Sequence, residues 1–299
     1  MKIAPSDTLT QRAVSASVRA PSSTNEPDYD SFFSLPTDKH NARGFGRKVY
    51  GVCSIVRRDF LEATRARVRT VDWDQEGRIQ IIETAATEDG RWPKLSLWNV
   101  YAVNGTENPY KDSETGKVVG TRHDRKRQVH RLMLEECQRL EKEGFAVVLA
   151  GDMNIARARI DGFPNLRTRP ETHVRNREDF DGKFFEDEAG LKAVDTFRLL
   201  HPEEKRYTYF PRGGPFGYSC DRVDLIMCSK SLSGNVVEAG MLDTPAERGP
   251  SDHVPLFARF EFGKGGIQTA GESGSTKTKS QESASCKAPE CTSSASPGR

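Results

Sequence analysis

FAVVLAGDMN, residues 145–154, is an unbroken apolar run that stops at a cluster of polar side chains. Phe145-to-Ala150 has the length and the Val and Phe content of a strand covered on both faces. Gly151 allows a tight exit from it, and Asp152 and Asn154 then project the same way from an extended turn. Just upstream, Val129, Leu132, Met133, Cys137 and Leu140 recur at helical spacing between Arg125 and Glu143, and Gly144 follows as a stop. Strand-like runs also occupy residues 48–56, 78–84, 95–103 and 223–228, and a weaker helix with Phe180, Phe184 and Phe185 on its apolar side spans 174–189. Strand, basic helix, strand and polar loop make an α/β unit, and such sheets place their ligands where strands end.

Polar residues suited to phosphoryl chemistry gather at those ends. Asp152 and Asn154 pair a carboxylate with a carboxamide, fit for an activated water and a phosphoryl oxygen, although Gly, Asp and Asn serve equally well as a strand-end turn. In Ser251-Asp252-His253, a hard carboxylate suited to Mg²⁺ adjoins an imidazole able to move protons near neutral pH. Asp224 opens an apolar strand and needs a partner there: His253 is one candidate and Arg222 the other. Tyr101 and Asn104 lie where strand 95–103 runs into a loop, and both can donate to phosphate, as an ordinary buried Tyr and an Asn-Gly turn would also look. Arg122, Arg125 and Lys126 open the clear helix and Arg157 follows the Gly151 loop, either as a surface for phosphates or as a solvated face.

In chain order these motifs read N-x-Y-x-x-N-G, G-D-x-N, R-x-D and S-D-H. That order resembles the endonuclease/exonuclease/phosphatase superfamily. Asp195-Thr196-Phe197-Arg198, His201-Pro202 and Tyr207-Thr208-Tyr209-Phe210 are similar to the D-x-F-R, HP and Y-T-x-W signature of its exonuclease III-like abasic-site endonucleases. The resemblance covers roughly residues 28–262 and implies an α/β (α+β) fold, a DNase I-like four-layer α/β/β/α sandwich. It implies catalytic roles for Tyr101, Asp152, Asn154, Asp224 and His253. Asp252, Asp152 and Asn154 would hold Mg²⁺ (or Mn²⁺). Substrate contacts would come from Asn104, Arg122, Arg125, Lys126, Arg157 and Arg222. Asp161 falls where relatives place an acid whose role stays open. The implied function is hydrolysis of DNA phosphodiesters in repair, as an abasic-site endonuclease or 3′–5′ exonuclease. Action on RNA or a lipid headgroup, or nucleic-acid binding without catalysis, are the alternatives. Two departures stand out. The W-N-x-N-G and Q-E-x-K strands that open relatives have no counterpart, so the first two strands and a metal-binding Glu are expected to be missing. Met1-Lys2-Ile3 looks like the tail of Q-E-x-K. Asp221 stands where many relatives carry an aromatic lining the pocket for a flipped sugar.

Composition sets outer limits. With 299 residues, 35% hydrophobic and 29% charged, the chain can bury a sizeable core, and no run of ~18 apolar residues spans a membrane. A net charge of +2 is too small to draw nucleic acid by itself, so attraction must be local. Six scattered cysteines form no C-x-x-C pair, which fits a reducing compartment. Expected organisation is a flexible lead-in over 1–28, a catalytic domain over 29–263 and a disordered tail over 264–299. Residues 268–299 lack any Val, Ile, Leu, Met, Phe, Trp or Tyr. A monomer acting on DNA, with no membrane and no protein partner inferable, in the nucleus or alternatively the mitochondrion, completes the expectations.

Overall fold

The computed structural model describes residues 7–21, 26–41, 51–213 and 215–263. The expected tail, the residues resembling Q-E-x-K and the first part of the strand read at 48–56 lie outside these. The elements run α1 (Thr8–Ser17), β1 (Tyr29–Ser34), β2 (Val52–Arg57), α2 (Arg58–Ala63), β3 (Arg67–Arg69), β4 (Ile79–Glu83) and β5 (Leu95–Tyr101). A short hairpin, β6 (Pro109–Lys111) and β7 (Val118–Thr121), leads into α3 (Arg122–Lys142), β8 (Ala146–Asp152) and β9 (Gly162–Phe163). Then come α4 (Glu171–Asp181), β10 (Val194–Asp195), α5 (Thr196–Leu200), β11 (Cys220–Asp221), β12 (Asp224–Cys228), β13 (Val236–Met241), α6 (Pro245–Arg248) and β14 (Leu256–Phe260).

Six strands form the central sheet in the order β10-β12-β8-β5-β4-β3. β5 and β8 are parallel, joined through α3, and the other ladders are antiparallel. Side chains alternate along each strand, and the alternation sorts the core. Trp98, Val100, Val147, Leu149, Leu225 and Met227 face Val129, Met133, Cys137 and Leu140 of α3 and Phe180 and Phe184 beyond it. Leu95, Ala146, Val148 and Cys228 point the other way, toward Val236 of β13 and Phe260 of β14. On this second face the strands form two separate pairs, β1–β2 and β13–β14, and among the described residues no ladder joins them. The architecture is therefore an α/β sandwich around a central mixed sheet.

Element ends shift for identifiable reasons. α3 starts three residues earlier than its apolar spacing suggests. The Thr121 hydroxyl accepts from the Asp124 amide while the Asp124 carboxylate accepts from the Thr121 amide, a capping box that nucleates the extra turn. The weaker helix, expected over 174–189, is α4 from Glu171 followed by a wide turn over Gly182–Glu186. The lead-in over 1–28 contains a ten-residue helix, α1, whose N-cap Asp7 accepts from the Thr10 amide and whose Val14 is buried.

Candidate active site

Asp152 ends β8, and Asp224 begins the antiparallel β12 directly opposite it in register. Gly151 has φ +140, and a Cβ there would lie 1.9 Å from the Val100 carbonyl oxygen of β5, so only glycine lets these strands meet this closely. Tyr101, the last residue of β5, is the register partner of Asp152 on the other side. Three strand ends thus deliver Tyr101, Asp152 and Asp224 to one edge of the sheet. Asn154, in the left-handed region at φ 52, folds back over Asp152: its amide donates to Oδ1 at 2.8 Å and its Nδ2 to Oδ2 at 3.0 Å.

His253 reaches the same place from the segment before β14. Its Nδ1 lies 2.9 Å from Asp224 Oδ2, which answers the question left open by sequence: the partner of Asp224 is His253 and not Arg222. The buried Thr208 hydroxyl accepts from the amides of Val223 and Asp224 at 3.0 Å each, fixing the strand start that carries the carboxylate. Tyr209 bridges His253 through the backbone and packs against its ring, with centroids 4.9 Å apart. Oxygen or nitrogen atoms of Asp152, Asp224 and His253 all come within 4.8 Å of one another.

The electrostatics follow from that crowding. Burial pushes the Asp152 carboxyl up to about 7, and the charge of Asp224 adds to the shift. For His253, burial is the largest influence and pulls the imidazole down. The hydrogen bond and charge of Asp224, with the charges of Asp152 and Asp252, outweigh it and leave the ring raised. Two carboxylates facing each other with little solvent is an arrangement that a cation would relieve, and hard oxygen donors suit Mg²⁺ or Mn²⁺. Asp152, Asp224 and His253 offer ligand atoms close enough together to share such an ion, and Asn154 and Asp252 line the cleft beside Asp152 and His253, so the residues present fit it.

The cleft has a volume of about 350 Å³, and Tyr101, Asn104, Asp152, Asn154, Asp252 and His253 line it together. Its far wall is Arg167, His173, Asn176 and Arg177, contributed by α4 and the loop before it, together with Asp221; His173, Asn176 and Arg177 were not read from sequence. Burial, with the nearby cations Arg167, Lys126 and Arg177 among the further causes, lowers His173 to about 4. A signal existed in the alternation of polar and basic residues along 171–177, but nothing local says which of them turn inward.

The cations assigned to substrate by resemblance behave differently. Arg122 grips Glu76 at 3.0 and 2.7 Å, and Arg125 donates to the Trp73 carbonyl and to Gln128. Arg157 pairs with Asp181 at 2.6 Å and lies 3.3 Å over the Phe185 ring. Arg222, 1% exposed, is clamped between Asp161 and Asp195 at 2.8 and 2.7 Å, and Arg198 also reaches Asp161. Lys126 Nζ touches the cleft from beneath, donating to the carbonyls of Val103, Met153 and Asn154, and burial lowers its pKa to about 7. These five side chains all make internal contacts, and of the five only Lys126 also lines the cleft. Asp161, whose role was open, is the counter-charge of Arg222 and Arg198.

A family model described as the Endonuclease/Exonuclease/phosphatase family matches residues 8–253. Among solved structures, an AP endonuclease from Leishmania major is similar at 19% identity and TM-score 0.59, covering 79% of this chain and 71% of that one. A 3′ phosphatase from Neisseria bound to a product DNA hairpin is similar at 22% identity and TM-score 0.53, covering 87% and 96%. An AP endonuclease from Archaeoglobus fulgidus is similar at 21% identity and TM-score 0.52, covering 78% and 79%. A search of curated protein sequences finds no match.

Proposed function

Since the chain belongs to the Endonuclease/Exonuclease/phosphatase family, we propose that it hydrolyses phosphodiester bonds of DNA, as an abasic-site endonuclease or 3′-end-processing nuclease of the exonuclease III-like branch. The observation that carries this reading is the convergence of Asp152, Asp224 and His253 within 4.8 Å at one end of a polar cleft. The D-x-F-R, HP and Y-T-x-F motifs and the abasic-site and 3′-end enzymes among the similar folds support the choice of DNA.

In this mechanism the substrate phosphate lies among Tyr101, Asn104 and His253. The Tyr101 hydroxyl and Asn104 amide donate to its non-bridging oxygens. Asp224 fixes one imidazole nitrogen of His253, so the other faces the phosphoryl group, and the hydrogen bond and charge of Asp224 favour the protonated ring, which offsets charge growing there. Asp152, oriented by both bonds from Asn154, accepts a proton from the attacking water. A bound Mg²⁺ or Mn²⁺, held by Asp152, Asn154 and Asp252, would supply Lewis-acid neutralisation of the phosphoryl and leaving oxygens.

The test is direct. The protein is incubated with abasic duplex DNA, single-stranded RNA and a water-soluble phosphoinositide, each with Mg²⁺, with Mn²⁺ or with EDTA. Cleavage of the DNA alone, lost with EDTA and in Asp152→Asn and His253→Ala, is the expected result. Turnover of only the RNA or the lipid headgroup would overturn the assignment to DNA.

A further inference from the structure

Resting on the reading that Tyr101 donates to the substrate phosphate, we propose that Arg78 is the positioning residue that sets this phenol for the reaction. Arg78 immediately precedes β4, across from the end of β5, and it holds Tyr101 in three ways. Its carbonyl accepts from the Tyr101 amide at 2.8 Å. Its Nη1 donates back to the Tyr101 carbonyl at 3.3 Å. The Cζ of its guanidinium lies over the phenol ring, 4.8 Å from the centroid. A tyrosine at a strand end would otherwise be free to swing about χ1 into the open cleft.

Arg78 is itself held rigidly. Its amide donates to Asp74 Oδ2 at 2.6 Å, and its Nε to Glu76 Oε2 at 3.0 Å. Glu76, with 1% of its side chain exposed, is gripped from the far side by both terminal nitrogens of Arg122. The relay therefore runs from the first residue of α3 through Glu76 and Arg78 to the ring of Tyr101, its two ion pairs mostly shielded from water. A cation against the ring face also draws electron density from the phenol, which strengthens its hydroxyl as a donor to a phosphoryl oxygen. Arg78 does not line the cleft, so its influence must pass through Tyr101.

Steady-state kinetics on abasic duplex DNA, run as a double-substitution cycle, test this. Arg78→Met is expected to lower kcat about 3- to 30-fold, the range of a buried cation–π contact, with KM nearly unchanged. In a Tyr101→Phe background the same substitution should cost nothing further, because no hydroxyl remains to be positioned. Arg78→Lys, which keeps the charge facing Glu76 but lacks the planar group, should show a smaller loss confined to the Tyr101 background, and it carries the test if the Met variant does not fold. An independent readout needs no turnover: with 3-fluorotyrosine incorporated, the ¹⁹F resonance absent from Tyr101→Phe should shift and broaden in the Arg78 variants while the other tyrosine resonances hold still. An equal kcat loss in both backgrounds, or an unmoved Tyr101 resonance, overturns the proposal. If the parent protein cleaves no phosphodiester, the mechanism above falls, and the fluorine spectra still decide whether Arg78 positions Tyr101.

Discussion

Asp152 is the residue at which structure and chemistry meet most closely. Burial, then the charge of Asp224, raises its carboxyl to about 7, well above the unfolded value near 4. A group raised on folding contributes stability that is fully present below its unfolded pKa and is lost as pH rises through its folded one. Metal-free protein should therefore melt at a lower temperature at pH 8 than at pH 6. His253, also raised, acts in the same direction, losing its contribution as pH climbs past its folded value. Asp152→Asn should remove most of the slope around pH 7 and His253→Gln a separate part. Divalent ion competes with the proton for Asp152, so added Mg²⁺ should raise the melting temperature more at pH 8 than at pH 6. Differential scanning fluorimetry with and without EDTA checks both expectations. An equal Mg²⁺ effect at both pH values would place the ion away from Asp152. For turnover, Asp224→Asn leaves the imidazole hydrogen-bonded but without its anionic partner. A loss in kcat of about 10- to 100-fold, with the high-pH limb of the rate profile moved to lower pH, is the expected outcome.

At the scale of elements, α3 shows what was legible in the sequence and what was not. β5, β8 and β12 announce themselves as short apolar runs followed by polar residues, and α3 by its apolar spacing. The site motifs sit at the ends of these elements, so Tyr101, Asp152, Asp224 and His253 were readable too. The basic face of α3 was not. Arg122 and Arg125 look like a phosphate-binding surface until Glu76, 46 residues before Arg122, folds against them, and separations of that size leave no local trace. β1 was equally hidden, because Tyr29–Ser34 becomes a strand through its pairing with β2. The consequence is measurable. Arg122→Gln with Arg125→Gln should leave the salt dependence of DNA binding unchanged and lower the melting temperature. A slope reduced by about two units would return them to the substrate. Lys126 is the more severe case, since its ammonium satisfies three carbonyls at the ends of β5 and β8. Lys126→Met should cost on the order of 3 kcal/mol in urea unfolding, and more than tenfold in kcat, as the loops carrying Asn104 and Asn154 lose their common anchor.

Over the whole molecule the two faces of the central sheet are covered unequally. The α3 face carries one continuous core, in which Ile81, Met133, Cys137, Leu140, Val147 and Leu149 are fully buried. The opposite face has two strand pairs that share no ladder among the described residues, with Ile55 of β2 about half exposed. Local opening requires less free energy where fewer apolar contacts and fewer backbone partners must be broken. β8 and β5 each have ladder neighbours on both sides, whereas among the described residues β1 and β2 pair only with each other. Native-state hydrogen exchange should therefore resolve two classes of strand. Amides of Val147–Leu149, Leu97–Val100 and Leu225–Met227 should exchange only through global unfolding, with urea dependence matching the equilibrium m-value. Amides of Phe32–Ser34 and Val52–Ile55 should exchange through a smaller opening, at least tenfold faster and with a shallower urea slope. The site straddles this boundary: Asp152 and Asp224 are rooted in the slow class, while His253 arrives on the segment leading to β14, which among the described residues pairs only with β13. His253 should thus be the first of the three to leave when the molecule is stressed, and activity should disappear at urea concentrations below the main unfolding transition. Coincident loss of activity and of the β8 amide protection would show instead that both faces melt as one unit.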